Sequence, residues 1–156
     1  MIAFTIRSRL DLLWNRKRLA TLSEVIDIQT SGEAIKITLK GLSRVSMKKI
    51  IKYTYGEFEF INSQIIEPYD SLGDELRKKS QELIFLINVD ESDKLIKLLN
   101  YIVDPAQMTD FISNYFIMDF RTRFRLYKEI DIRNRNQMLI SELNILIHQM
   151  TKKRKK

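Results

Sequence analysis

Along residues 1–66 apolar side chains recur at every second position. Ile2, Phe4 and Ile6 alternate with smaller or polar residues, Ile26 and Ile28 with Asp27 and Gln29, and Ile35, Ile37 and Leu39 with Lys36, Thr38 and Lys40. A period of two marks strands that bury one face, so this half is expected to be β. Thr30-Ser31-Gly32-Glu33 separates two of the runs and predicts a hairpin turn. Gly56 separates Tyr53 and Tyr55 from Phe58 and Phe60, which predicts a second hairpin there. Gly41 follows the run 35–39 and predicts a bend or a bulge. Residues 9–18, RLDLLWNRKR, read as a helical turn or as an ordered loop. Leu10, Leu13 and Trp14 have helical spacing, in a short and very basic segment.

After Pro68 the period changes. Residues 69–88 place Leu72, Leu76, Leu83 and the apolar run 85–87 among many charges, as in a helix with one buried stripe. Asp90 is a favourable cap for a helix starting at Glu91, with Leu95, Ile96, Leu98 and Leu99 turned inward. Asp104 precedes Pro105, which suits the first helical position because its missing N–H has no intrahelical partner there. Met108, Phe111, Ile112 and Tyr115 then share one face. Another helical run covers about 118–129, and the last helix begins near Asp131. Its Leu139, Leu143, Leu146 and Met150 form a narrow seam, the kind that packs on one other helix. About twenty helical residues span roughly 30 Å, long enough to project past the body. The expected fold class is α+β. A small antiparallel β subdomain (residues 1–67) precedes an α-helical bundle with a long C-terminal helix (68–151), and a basic disordered tail (152–156) ends the chain.

Composition narrows the function classes. The 156 residues are 44% apolar and 30% charged, ordinary values for a soluble globular chain. There is no cysteine, which removes disulfides and thiolate metal sites and suits a reducing compartment. No run approaches the ~18 apolar residues of a membrane span, and the N-terminus lacks the layout of a signal peptide. A cytoplasmic protein with no membrane association is expected. The net charge of +7 points at first to nucleic acid. Five of those charges sit in residues 152–156, however, leaving +2 for the rest. Such a block is ordinarily solvated.

Candidate chemistry is sparse. The glycines at 32, 41, 56 and 73 form no phosphate loop, and there is no nucleophile elbow. His148, the only histidine, has no carboxylate at i+3 or i+4, and a histidine metal site would need more ligands. Asp90, Asp104 and Asp131 each precede a helical run and read as caps, while Asp110 and Glu142 lie inside helices. The aromatics Tyr53, Tyr55, Phe58 and Phe60 fit cross-strand core pairs better than a base-stacking platform. No enzyme activity, cofactor or metal is expected.

The order of several segments carries a resemblance. Asp104, Pro105, Met108, Asp110 and Ile112 fill a D-P-x-x-L-x-D-x-I pattern. Asp131, Ile132 and Arg135 fill D-v-x-x-R, with Leu139, Glu142 and Leu143 following in register. Upstream, Gly41-Leu42-Ser43-Arg44-Val45 matches G-L-x-R-V at the end of a β hairpin, and Ala20-Thr21-Leu22 stands where Gly-Thr-hydrophobic is usual. In this order, across about residues 19–151, the chain resembles the N-terminal domain of Lon-type ATP-dependent proteases. It departs from the family in having Arg123-Phe124 for Lys-Gln and in lacking the usual L-R-x-x-V-x-F-P opening segment.

The resemblance implies a PUA-like β subdomain, shortened at its N-terminus, followed by a helical subdomain. It also implies a non-catalytic module that captures protein substrates and supports assembly, the ATPase and serine–lysine protease parts lying downstream in the family. The partners it implies are unfolded or exposed protein segments, with a Lon-like ATPase–protease and self-association also in view. Tyr53, Tyr55, Tyr101 and Tyr115 are the candidate protein-binding residues, expected at the junction of the β and helical parts. The alternative reading is a PUA-like nucleic-acid binder, using residues 152–156 and Arg16-Lys17-Arg18. An incomplete β unit would leave an open edge, or residues 9–18 would cover it.

Overall fold

The computed structural model describes residues 2–3, 18–51, 55–61, 71–87 and 92–154, with the backbone alone at 2–3, 18, 49–51 and 55. Two compact units divide the chain, Met1–Asn62 and Ser63–Lys156. The order of elements, a β unit followed by helices, is the α+β arrangement expected.

The first unit is an antiparallel sheet in the order β1 (Ile2–Ala3), β2 (Arg18–Ser31), β3 (Ala34–Ile51), β4 (Tyr55–Phe60). The turn between β2 and β3 falls on Gly32-Glu33, where Gly32 takes φ 59°, a left-handed conformation that glycine adopts without steric cost. The second turn lies between Ile51 and Tyr55 rather than at Gly56, which sits inside β4 opposite Ile50. Phe4, Ile6 and residues 9–17 lie outside the described residues.

A bulge governs which side chains are buried. Leu22 faces Ser43, and Ser23 faces Gly41, so Leu42 is an extra residue on β3 beside the glycine. Below it, Ala20, Val45 and Met47 are buried, with Leu22 and Phe58 packed against them. Above it, Val25 pairs with Leu39 and Ile28 with Ile37. Alternation along β2 puts Val25 on the face opposite Leu22, so the second apolar stripe does not continue the first. The expected burial of Ile26, Ile28, Ile35, Ile37 and Leu39 is not found: all five are exposed.

The second unit is helical: α1 (Ser71–Ile87), α2 (Ser92–Tyr101), α3 (Pro105–Phe116), α4 (Phe120–Lys128) and α5 (Ile132–Arg154). Leu76, Leu83, Leu99, Ile112, Leu139 and Leu143 are among its fully buried or nearly fully buried side chains. The expected cap at Asp90 falls outside the described residues. Asp104 caps α3, accepting from the N–H groups of Ala106 at 3.0 Å and Gln107 at 3.4 Å, and Pro105 opens the helix. Asp131 caps α5 through the Asn134 N–H at 3.0 Å.

The last helix is less narrow in its packing than its leucine seam predicts. Arg135, Asn136, Ile140 and Ile147 are buried along with Leu139 and Leu143, so α5 is contacted from several sides. It does not project as a bare rod. Met150 packs on the core, and Arg154 donates to the Phe85 carbonyl at 3.2 Å. Lys152, Lys153 and Arg154 belong to this helix, so the basic run begins on ordered structure rather than as a separate tail.

Candidate functional site

The residues of the two sequence patterns meet inside the helical unit. Arg135, 1% exposed, reaches Asp110 on α3 with an Nη1–Oδ1 distance of 3.2 Å. The Thr109 hydroxyl donates to the Asn136 side-chain oxygen and also reaches the Pro105 carbonyl at 2.7 Å. These contacts tie the start of α3 to the start of α5. They are structural fastenings: Arg135, Thr109 and Asn136 are buried, and half-exposed Asp110 is engaged by Arg135.

The surface that can meet one lies at the other end of the unit. The junction between α3 and α4 is only three residues long, 117–119, and is pinned at both ends. The Ile117 N–H donates to the Ser113 carbonyl at 3.2 Å, closing α3. Asp119 opens α4 by accepting from the Thr122 N–H at 2.7 Å. The backbone bond from Thr122, then that residue's side-chain hydrogen bond, hold the Asp119 carboxyl below its ordinary pKa. Ile117 and Asp119 are both extended, so successive side chains point apart: Ile117 is buried, and Met118 stands 78% exposed.

Beside this junction runs an apolar groove of about 520 Å³. Its floor is Leu83 and Ile84 of α1, Phe116 and Ile117, with Leu146 and Met150 of α5. Exposed Ile87, Tyr115, Met118 and Ile145 form apolar rims. Asp119, Thr122, Glu142 and Gln149 supply the polar part of the lining. Glu142 is itself held by Arg125 of α4, which joins α4 to α5 across the groove wall. The volume is within the ~300–1,000 Å³ of ligand-sized sites, and the lining is that of a hydrophobic receptor with few polar groups. Two methionines on it add side chains able to repack around differing shapes.

Of the four candidate tyrosines, Tyr115 is on this groove, 43% exposed and stacked on Phe111 at 5.9 Å between centroids. Tyr101, 82% exposed at the end of α2, is not part of its lining. Tyr53 lies outside the described residues, and Tyr55 is described by its backbone only. Sequence patterning missed Ile87, Met118 and Ile145. Met118 lies between helices and Ile145 lies off its helix's buried stripe, and that misplacement was the available signal, whereas Ile87 continues the stripe of α1 at its exposed end. His148 is exposed. Among the described residues no cluster of three metal-ligating side chains occurs, and no helix is long and apolar enough to cross a membrane.

Comparison with known proteins bears on what the groove belongs to. No curated protein matches the chain. Among solved structures it is similar to the N-terminal domain of Mycobacterium avium complex Lon protease, at 14% identity and a TM-score of 0.65, covering 81% of this chain and 69% of that one. At that identity the likeness concerns the fold. The family model of the ATP-dependent protease La (LON) substrate-binding domain matches residues 15–144, well over half of the chain. With both sequence patterns and the groove inside or bordering that span, the chain belongs to the LON substrate-binding domain family.

Proposed function

We propose that this chain is a non-catalytic recognition module that binds unfolded or exposed protein segments through the α1–α3–α4–α5 groove. The observation that carries the reading is the open apolar groove in a chain of the substrate-binding family. Unfolded segments differ from folded surfaces in offering bare aliphatic and aromatic side chains. A groove walled by Leu, Ile, Phe and Met rewards such side chains without demanding a particular sequence. Such a module delivers its cargo to an ATPase–protease of the Lon type, in the cytoplasm.

The test is fluorescence anisotropy with a labelled, permanently unfolded model protein. Binding in the range of tens of micromolar is expected, weakened by Ile145→Gln and by Met118→Gln. The absence of binding in that range would sink the reading. A second reading, nucleic-acid binding, has one observation in its favour: Lys152, Lys153 and Arg154 are exposed on the last turn of α5. Under that reading affinity for RNA or DNA falls steeply with salt and drops when Lys152 and Lys153 are neutralised to glutamine.

A further inference from the structure

The β2–β3 hairpin carries an unclaimed surface. β1 pairs only at Thr21 and Leu22 among the described residues, and β4 pairs only with residues 45–51 of β3. From Ser23 to Gly41 the sheet is therefore a two-stranded arm, with each strand about nine residues or roughly 30 Å long. Its two faces differ in kind. On one, Glu24 lies opposite Lys40, Asp27 opposite Thr38 and Gln29 opposite Lys36, and the Gln29 amide donates to Asp27 at 2.7 Å. On the other, Ile28 lies opposite Ile37, Val25 opposite Leu39 and Thr30 opposite Ile35, with Ile26 added at a second bulge.

The polar face, charged and exposed, suits water. The apolar face is covered by nothing among the described residues. A lone two-stranded ribbon is at best marginally stable, so a cover for this face would stabilise the arm.

We propose that this face packs against the same face of a second copy of the chain, making an isologous dimer through the hairpin arms. Three observations select a copy of itself over another partner. The face presents aliphatic side chains with a single hydroxyl, Thr30, so it has almost nothing with which to recognise a polar or charged partner. The arm is close to neutral: Glu24, Asp27 and Glu33 against Lys36 and Lys40, so a copy meets little like-charge repulsion and a polyanion little attraction. The area also fits. Ile26, Ile28, Ile35, Ile37 and Leu39 are 39–65% exposed. They present roughly 450 Å² per copy, or about 900 Å² for the pair, the size of a weak but specific contact.

Two such ribbons stack at ~10 Å, as sheets do in a sandwich. Lysines on β3 and the bulge at Ile26 blunt edge-to-edge growth, so the contact closes as a pair rather than extending. This proposal does not rest on the groove, and its readout is the protein's mass rather than its cargo.

Sedimentation equilibrium of the full chain over a concentration series tests it. A monomer–dimer equilibrium with a dissociation constant of tens of micromolar is expected. Ile28→Thr with Ile37→Thr keeps β-formers in place and raises that constant at least about 100-fold. Lys36→Thr on the polar face leaves it unchanged. Because the chain has no cysteine, a single Ile28→Cys variant offers a second readout. It forms a disulfide-linked dimer under mild oxidant, and Gln29→Cys does not. A protein that stays monomeric to about 1 mM overturns the proposal, as does a dimer undiminished by the double threonine variant. It is also overturned if the wild type is monomeric and the double variant loses thermal stability, because the face is then covered within one chain. Loss of unfolded-protein binding in a monomeric double variant would assign the face to cargo and overturn it as well.

Discussion

Two alanine substitutions, two residues apart on α5, separate folding from binding. Leu143 is fully buried in the helical core, and Ile145 on the groove rim is 53% exposed. Leu143→Ala removes three methylene-sized groups from a filled interior and leaves a cavity, at a cost of about 3 to 4 kcal/mol. For a unit of this size that is a fall in Tm of about 15 °C or more. Ile145→Ala removes a side chain that water already reaches, and alanine is the better helix former, so stability changes by less than about 0.5 kcal/mol. Its cost falls on binding. About half of the side chain is still available to be buried by a ligand, worth on the order of 1 kcal/mol, or about a fivefold weakening. Urea unfolding followed by circular dichroism reads the first quantity, and anisotropy with the unfolded model protein reads the second. The measurements are made at a temperature where both variants are folded. If Ile145→Ala unfolds as easily as Leu143→Ala, or binds as tightly as wild type, the groove is not the binding surface.

Other consequences follow from the fastenings. Asp104→Ala strips two acceptor contacts from the start of α3 and should lower stability by about 1 kcal/mol, with Asp104→Ser restoring most of it in the same urea assay. The Asp119 carboxyl is held below its ordinary value of 3.8 by the bonds from Thr122. The stabilisation from that ionised cap is therefore present above the ordinary value and is lost as pH falls through the lower folded value. Asp119→Asn, which still accepts a hydrogen bond, should flatten the acid limb of a pH–stability profile below about pH 4. Asp110→Ala leaves Arg135 buried without this carboxylate. Because Asp110 is itself half exposed, water softens the loss to about 1 to 2 kcal/mol, and a double-mutant cycle with Arg135→Met measures the coupling.

The sequence made the helical elements legible because their signals are local. A cap oxygen at Asp104 or Asp131 acts within one turn, and the apolar repeat of Leu139 and Leu143 needs no knowledge of the partner helix. The shared order of the Asp104 and Asp131 patterns was legible for a deeper reason. Asp110 and Arg135 form a pair in space, so the two patterns meet in one contact. The sheet misled for the opposite reason. Alternation at Ile35, Ile37 and Leu39 announces one apolar face, yet whether that face meets a core depends on a one-residue bulge at Leu42, which leaves no mark beyond Gly41. Gly56 misled in the same way, because a glycine that reads as a turn lies inside β4 opposite Ile50. Of the two helical tyrosines only Tyr115 came to the groove.

The residues that carry the family patterns and the residues that form the two proposed binding surfaces are therefore different sets with different physics. Asp104, Asp110, Asp131 and Arg135 act by capping and pairing, jobs that tolerate few substitutes because a backbone N–H or a guanidinium fixes the geometry. The groove and the hairpin face act through bare apolar area, to which Ile, Leu, Met and Val contribute almost interchangeably. A recognition pattern drawn from this chain records the first set and is silent on the second. That silence suits the proposed binding of unfolded polypeptide. A site that must accept many sequences gains little from any one side chain, so its loss on substitution is spread over many small steps. The fastenings, by contrast, fail one at a time. Single substitutions in the two sets should differ in kind: at the fastenings they change Tm, and at the exposed groove rim or the hairpin face they change affinity with little change in Tm.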